Sequence, residues 1–213
     1  MQLVRKYEIH SKDKMIHFLN SQPVGRIASL DANGYPQIIP MNFVYYDGVI
    51  YMHSHPFGEK LDNIGRNPKV GFEVDQHICF LPSYYFHPTD ASQADTLYIS
   101  VVMKGKAEIV HKNDEKAIAL NALMEKYQKE GKYEALDSNM PSVREVAVIK
   151  VIPVEMHGKY KIGQHWSRPY RLKMARHIIQ REGLENAKAI MQIMGIDIAA
   201  GDASLQVKED PEM

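Results

Sequence analysis

Arg26, His53, Ser54, His55 and Lys60 bring cations and hydroxyls to what the local pattern reads as strand ends and the start of a short helix. A guanidinium, an ammonium, a hydroxyl and the outward-pointing amides of a helix start together suit a phosphate-bearing ligand. Arg26 follows Gly25 on a strand. Its guanidinium can fork onto phosphate oxygens or sit in a surface ion pair. Lys60 falls in the first turn of the short helix, as part of an anion site or as a solvated lysine. His53 and His55 are two apart and share a strand face, as a metal pair would, but no third ligand shows matching spacing. Cys79 has no activating partner in the sequence and reads as packed, and no GxSxG elbow marks a serine nucleophile.

The elements that must position these groups follow from periodicity and turn chemistry. Ser11 to Asn20 predicts an amphipathic helix capped by Ser11. Val24 to Leu30 and Pro36 to Tyr46 predict strands joined by the turn Asp31-Ala-Asn-Gly34, with Pro40 marking an edge or a bulge. Asp47-Gly48 predicts a second hairpin turn into a strand over Val49 to Ser54. Gly58 to Asn67 carries Leu61 and Ile64 at helical spacing, and Pro68 ends the helix. Val70 to Val74 predicts another strand. Residues 76 to 95 read as an irregular loop packed by Phe80, Tyr84, Tyr85 and Phe86. A strand over 96–110, a helix over 114–128 and a strand over 146–156 interrupted by Pro153 follow. Amphipathic helices over 169–194 break near Gly183, and a loose polar tail begins after Gly201.

The order predicts a mainly β chain with helices, in the α+β class: a small barrel or sandwich with helices packed outside. No βαβ alternation and no GxGxxG after a strand point to a doubly wound dinucleotide fold. The 213 residues hold 26 Lys plus Arg against 26 Asp plus Glu, so no basic stripe marks a nucleic-acid binder. No apolar run approaches the ~20 residues of a membrane span, and the N-terminal MQLVRKYEIHSKDK lacks an apolar targeting core. The single cysteine cannot close an internal disulfide and fits a reducing cytoplasm.

The stretches VGRIAS (24–29), GYPQIIPMNFVY (34–45), IYMHSHPFGEKLDNIGRNPKVGFEV (50–74) and, more weakly, KYKIGQHW (159–166) resemble the pyridoxamine 5′-phosphate oxidase-like, FMN-binding split β-barrel proteins. Within them the chain looks most like the branch related to nitroimidazole resistance proteins. The resemblance covers roughly Met15 to Trp166. It implies a split-barrel flavin-binding domain over 1–166, with 167–213 as a helical extension. It also implies a homodimer with FMN in clefts at the interface. The cofactor-binding set it implies is Arg26, Ile27, Ala28, Pro40, Met41, Asn42, His53, Ser54, His55, Lys60, Gln164 and Trp166. Pro40, Met41 and Asn42 would lie along the isoalloxazine ring, or serve as strand core and turn. Trp166 would stack on a ring, plug an interface or simply pack. The activity implied is electron transfer between a small-molecule donor and a small acceptor such as a nitro compound, with no protein nucleophile. Some relatives bind haem instead, and a flavin- or haem-binding module without turnover is the alternative.

Overall fold

The computed structural model describes residues 5–198 and 205–207. After a 3₁₀ turn at Arg5–Tyr7 come β1 (Glu8–Ile9), α1 (Lys12–Ser21), β2 (Gly25–Leu30), β3 (Pro36–Met41), β4 (Val44–Tyr46) and β5 (Val49–Ser54). Then follow α2 (Glu59–Arg66), β6 (Lys69–Leu81), two 3₁₀ turns, β7 (Asp95–Val110), α3 (Asn113–Tyr127), α4 (Pro141–Glu145) and β8 (Ala147–Lys161). The chain closes with α5 (Arg168–Glu182), α6 (Leu184–Ile193), β9 (Ile196–Ile198) and β10 (Leu205–Val207). The main sheet runs β3-β2-β6-β7-β8-β5-β4, with β1 joined to β8, while β9 and β10 form a separate pair. The fold class read from the sequence, an α+β split barrel with peripheral helices, is the one found.

The turns behave as their residues dictate. Asp47 and Gly48 both take positive φ, 48° and 83°, the backbone that a tight two-residue hairpin requires. The Asp31 carboxylate accepts from the amides of Asn33 and Tyr35, each at 2.8 Å, and fixes the β2–β3 turn. Pro40 sits on β3, an edge strand, where its missing N–H costs no ladder bond on the open side.

Three expectations are corrected. The strand expected over 36–46 breaks at Asn42 and Phe43, so β3 and β4 stand at opposite ends of the strand order. The irregular stretch expected from 76 is strand as far as Leu81. Gln76 and His77 interrupt the apolar run, and beyond them burial passes from the even positions Val70, Phe72 and Val74 to the odd positions Cys79 and Leu81, the other face of the strand. Pro153 does not interrupt β8, because pairing with β5 ends at Ile50↔Val151, before the proline is reached. The loose tail expected after Gly201 lies outside the described residues, except for β10.

The chain condenses into two compact units, and the division runs through strands. One unit takes Lys12–Asp75 and Val101–Gly158. Within it Phe43 and Phe72 meet edge-on with ring centroids 5.1 Å apart, both fully buried. Val44, Tyr51, Val110, Ala119, Ala122, Leu123 and Val148 pack beneath α3. The other unit takes Met1–Ser11, Gln76–Ser100 and Lys159–Met213. Its core joins Cys79, Leu81, Tyr85 and Leu97 to Met174, Ile178, Met191 and Ile196.

Candidate functional site

The register of β2 and β3 sets which side chains can converge. Ser29 pairs with Gln37, Ile27 with Ile39 and Gly25 with Met41, so these six share one sheet face. On that face lies α2. Its Asn63 is fully buried, donates to Gln37 Oε1 at 3.2 Å and accepts from both terminal nitrogens of Arg66 at 3.2 and 3.3 Å. A buried amide with these partners pins the helix to β2 and β3. Leu61 and Ile64, three apart, bury its apolar side.

Gly58 opens α2 at φ 137°, a conformation that strains any residue with a Cβ, and no side chain caps the helix. The amides of Leu61 and Asp62 reach the Gly58 carbonyl, which leaves those of Glu59 and Lys60 pointing outward. Here a cavity of about 210 Å³ is lined by Gln37, Ile39, Ser54, His55, Phe57, Gly58, Glu59, Lys60 and Leu61. Lys60 Nζ donates to Met41 Sδ at 3.3 Å and forms no ion pair among the described residues. Burial alone pulls its pKa below the ordinary lysine value. Glu59 accepts from the Gln37 amide at 2.6 Å, and His55 Nδ1 accepts from the Phe57 amide at 3.4 Å. A half-buried cation and two outward amides therefore converge on one concavity, beside a Ser54 hydroxyl that donates to the His55 carbonyl at 3.0 Å, and a phosphate group fits that cation and those amides.

Of the residues singled out from sequence, Ser54, His55 and Lys60 line this cavity, and Met41 touches Lys60. Arg26, Ala28 and Pro40 sit on the opposite sheet face by register. There Arg26 Nη1 is 3.1 Å from Glu73 Oε2 and also pairs with Asp75. The hydrogen bonds to Asp75 and Glu73 raise the Arg26 pKa further. Ile27 is core, and Asn42 and His53 are exposed. Gln164 and Trp166 belong to the other unit. There Gln164 accepts from the Ile162 amide at 3.0 Å and donates to the carbonyls of Lys6, at 3.2 Å, and Tyr160. Trp166 lies edge-on to Tyr170 at 5.6 Å and covers Gly163, where a Cβ would come within 2.5 Å of the indole. Gln37, Ile39, Phe57 and Glu59 were missed. Strand alternation through Met41 would have placed Gln37 and Ile39 on its face. Cys79 is buried and its thiol pKa is raised by burial.

The family profile for pyridoxamine 5′-phosphate oxidase matches residues 11–160. No curated protein matches the chain by sequence. Among solved structures, a proposed 5-nitroimidazole antibiotic resistance protein of Bacteroides thetaiotaomicron VPI-5482 is 27% identical, with a TM-score of 0.60 over 71% of this chain and 85% of that one. The flavocytochrome Anf3 of Azotobacter vinelandii is 15% identical, with a TM-score of 0.63 over 75% and 72%. The FAD and heme binding protein of Mycobacterium smegmatis is 14% identical, with a TM-score of 0.63 over 80% of each chain. These last two are likenesses of fold. By the extent of the profile match, the chain belongs to the pyridoxamine 5′-phosphate oxidase family.

Proposed function

We propose that this protein binds FMN and serves as a flavin-dependent oxidoreductase between a small-molecule donor and a small acceptor such as a nitro compound. The observation that carries the reading is the cavity at the start of α2, where Lys60 presents a half-buried ammonium to Met41 Sδ while the Glu59 carboxylate in the same lining is taken by Gln37. Lys60, the outward amides of Glu59 and Lys60 and the Ser54 hydroxyl would hold the phosphate. Gln37 and Glu59 would meet the hydroxyls of the ribityl chain. The cofactor, when bound, supplies the redox chemistry, and the chain supplies binding and orientation. Family membership and the likeness to the nitroimidazole resistance protein support the acceptor class.

A homodimer completes the proposal. Ile38 and Tyr35, at and beside the edge strand β3, are 62% and 71% exposed, and Phe57 beside the cavity is 79% exposed. An open strand edge flanked by apolar side chains favours cover by a second copy. A single buried cysteine supports a cytoplasmic setting.

The test is the absorption spectrum of the purified protein, followed by extraction of its chromophore. A flavin doublet and released FMN are expected. A Soret band would replace this reading with the haem alternative. Light scattering on the loaded protein is expected to give twice the monomer mass.

A further inference from the structure

Three lysines converge on one aromatic ring in the unit that contains Lys6 and Lys159. The Nζ of Lys6 is 4.8 Å from the centroid of Tyr7, that of Lys161 is 5.7 Å and that of Lys159 is 5.8 Å. Lys159 also lies 5.0 Å from the ring of Tyr98. His165 meets Tyr7 edge-on, with centroids 5.1 Å apart and ring planes at 81°. The arrangement is built into the fold. Lys159 and Lys161 alternate onto one face of β8. The Gln164 amide donates to the Lys6 carbonyl and ties that segment to the turn after β8.

Charge in this cluster is not balanced from within. Asp95 pairs with Lys161, but neither Lys6 nor Lys159 forms an ion pair among the described residues. Aromatic faces offset part of the repulsion between ammonium groups and leave their outer hemispheres open to an anion. Burial, followed by the charges of Lys6 and Lys161, lowers the pKa of His165, while Asp95 opposes the shift. The His165 ring therefore senses the local field.

We propose that this lysine cluster around Tyr7 is a binding site for a phosphorylated small molecule, presenting a phosphate ester or diphosphate. None of its residues lines the α2 cavity. Lysines act as point charges with rotatable donors, so Lys6 and Lys159, with Lys161 held by Asp95, suit a multiply charged group with several oxygens. A small ligand is favoured over nucleic acid because acidic and basic residues balance across the chain.

The test uses the full-length protein saturated with FMN, so that the α2 cavity is filled, titrated with inorganic pyrophosphate at low ionic strength. Saturable binding is expected, and it should weaken as salt is added. Lys6→Gln and Lys159→Gln should each weaken it about tenfold. The His165 ring proton, followed by NMR, should titrate at higher pH when pyrophosphate is bound, because the anion offsets the neighbouring lysines. Lys104→Gln, at an exposed lysine outside both sites, should leave this binding unchanged. Absence of saturable binding in the millimolar range overturns the proposal. So does binding that survives the Lys6→Gln, Lys159→Gln double variant, or binding that Lys104→Gln abolishes. A loss of FMN binding in Lys60→Ala with pyrophosphate binding intact supports both sites independently.

Discussion

The ammonium of Lys60 points at the thioether of Met41, 3.3 Å away, rather than at a carboxylate. A thioether is a weak acceptor, so the charge stays available to a stronger one. A charge-assisted bond to phosphate contributes about 1.5–3 kcal/mol. Lys60→Ala should therefore weaken FMN by about tenfold or more. Riboflavin, which lacks the phosphate, should bind the wild type and Lys60→Ala about equally poorly. Burial lowers the Lys60 pKa, and phosphate favours the charged form. FMN affinity should thus fall with rising pH sooner than an ordinary lysine would allow. Fluorescence titrations of both ligands across pH measure all three. Equal FMN affinity in Lys60→Ala and wild type would remove Lys60 from the site.

Lys126 sits over the face of Phe43, 3.6 Å from its centroid, and donates to the Leu19 carbonyl at 3.1 Å. Burial pulls its pKa down to about 8 from an ordinary 10.5. Below the lower value both folded and unfolded chains carry the proton, and the folded state bears the full desolvation cost. Between the two values the unfolded state binds more protons, so stability rises with pH. Urea midpoints on either side of that window should rise for the wild type relative to Lys126→Gln. Parallel pH profiles for the two proteins would contradict this.

Glu115 accepts from Lys150 at 2.8 Å and from the Tyr51 hydroxyl at 3.0 Å. The lysine, opposed in part by burial, holds the carboxyl below its ordinary range. Burial and the same carboxylate push the Tyr51 pKa up to about 12. A depressed carboxyl pKa gives stability that is present above its unfolded value and lost as pH falls through the folded one. Glu115→Gln should flatten the acid limb of the stability profile. The effect should stay below about 1 kcal/mol, because the group is largely solvent-screened. Acid titration followed by circular dichroism checks it.

Gly25 leaves no room for a methyl group. A Cβ there would lie 2.2 Å from Cζ of Phe72, whose ring is buried against Phe43. Gly25→Ala should destabilise by about 1–3 kcal/mol through overpacking. The denaturant midpoint should fall with an unchanged slope.

Local chemistry made much of this fold legible. Asp47-Gly48, Pro40 and the Leu61/Ile64 pair each act through near neighbours, and each did what its type dictates. What stayed hidden depends on register between distant segments. Arg26 finds Glu73 because β2 pairs with β6 at that position, which no spacing within β2 announces. Glu59 finds Gln37 only once α2 has docked on β3. The gathering of Lys6 with Lys161 joins residues far apart in the sequence. Gln76 and His77 masked the continuation of β6, because polar residues in a long strand read locally as a loop.

The unit that takes Met1–Ser11, Gln76–Ser100 and Lys159–Met213 has a consequence for synthesis. Its core needs Leu81 and Leu97 from β6 and β7 and Met174 and Met191 from α5 and α6. A ribosome-bound chain cannot assemble it until α6 has emerged, so the apolar side chains of β6 and β7 must wait uncovered. A late stall or a premature stop codon should therefore yield a sticky fragment for chaperones and proteases, not a smaller working protein.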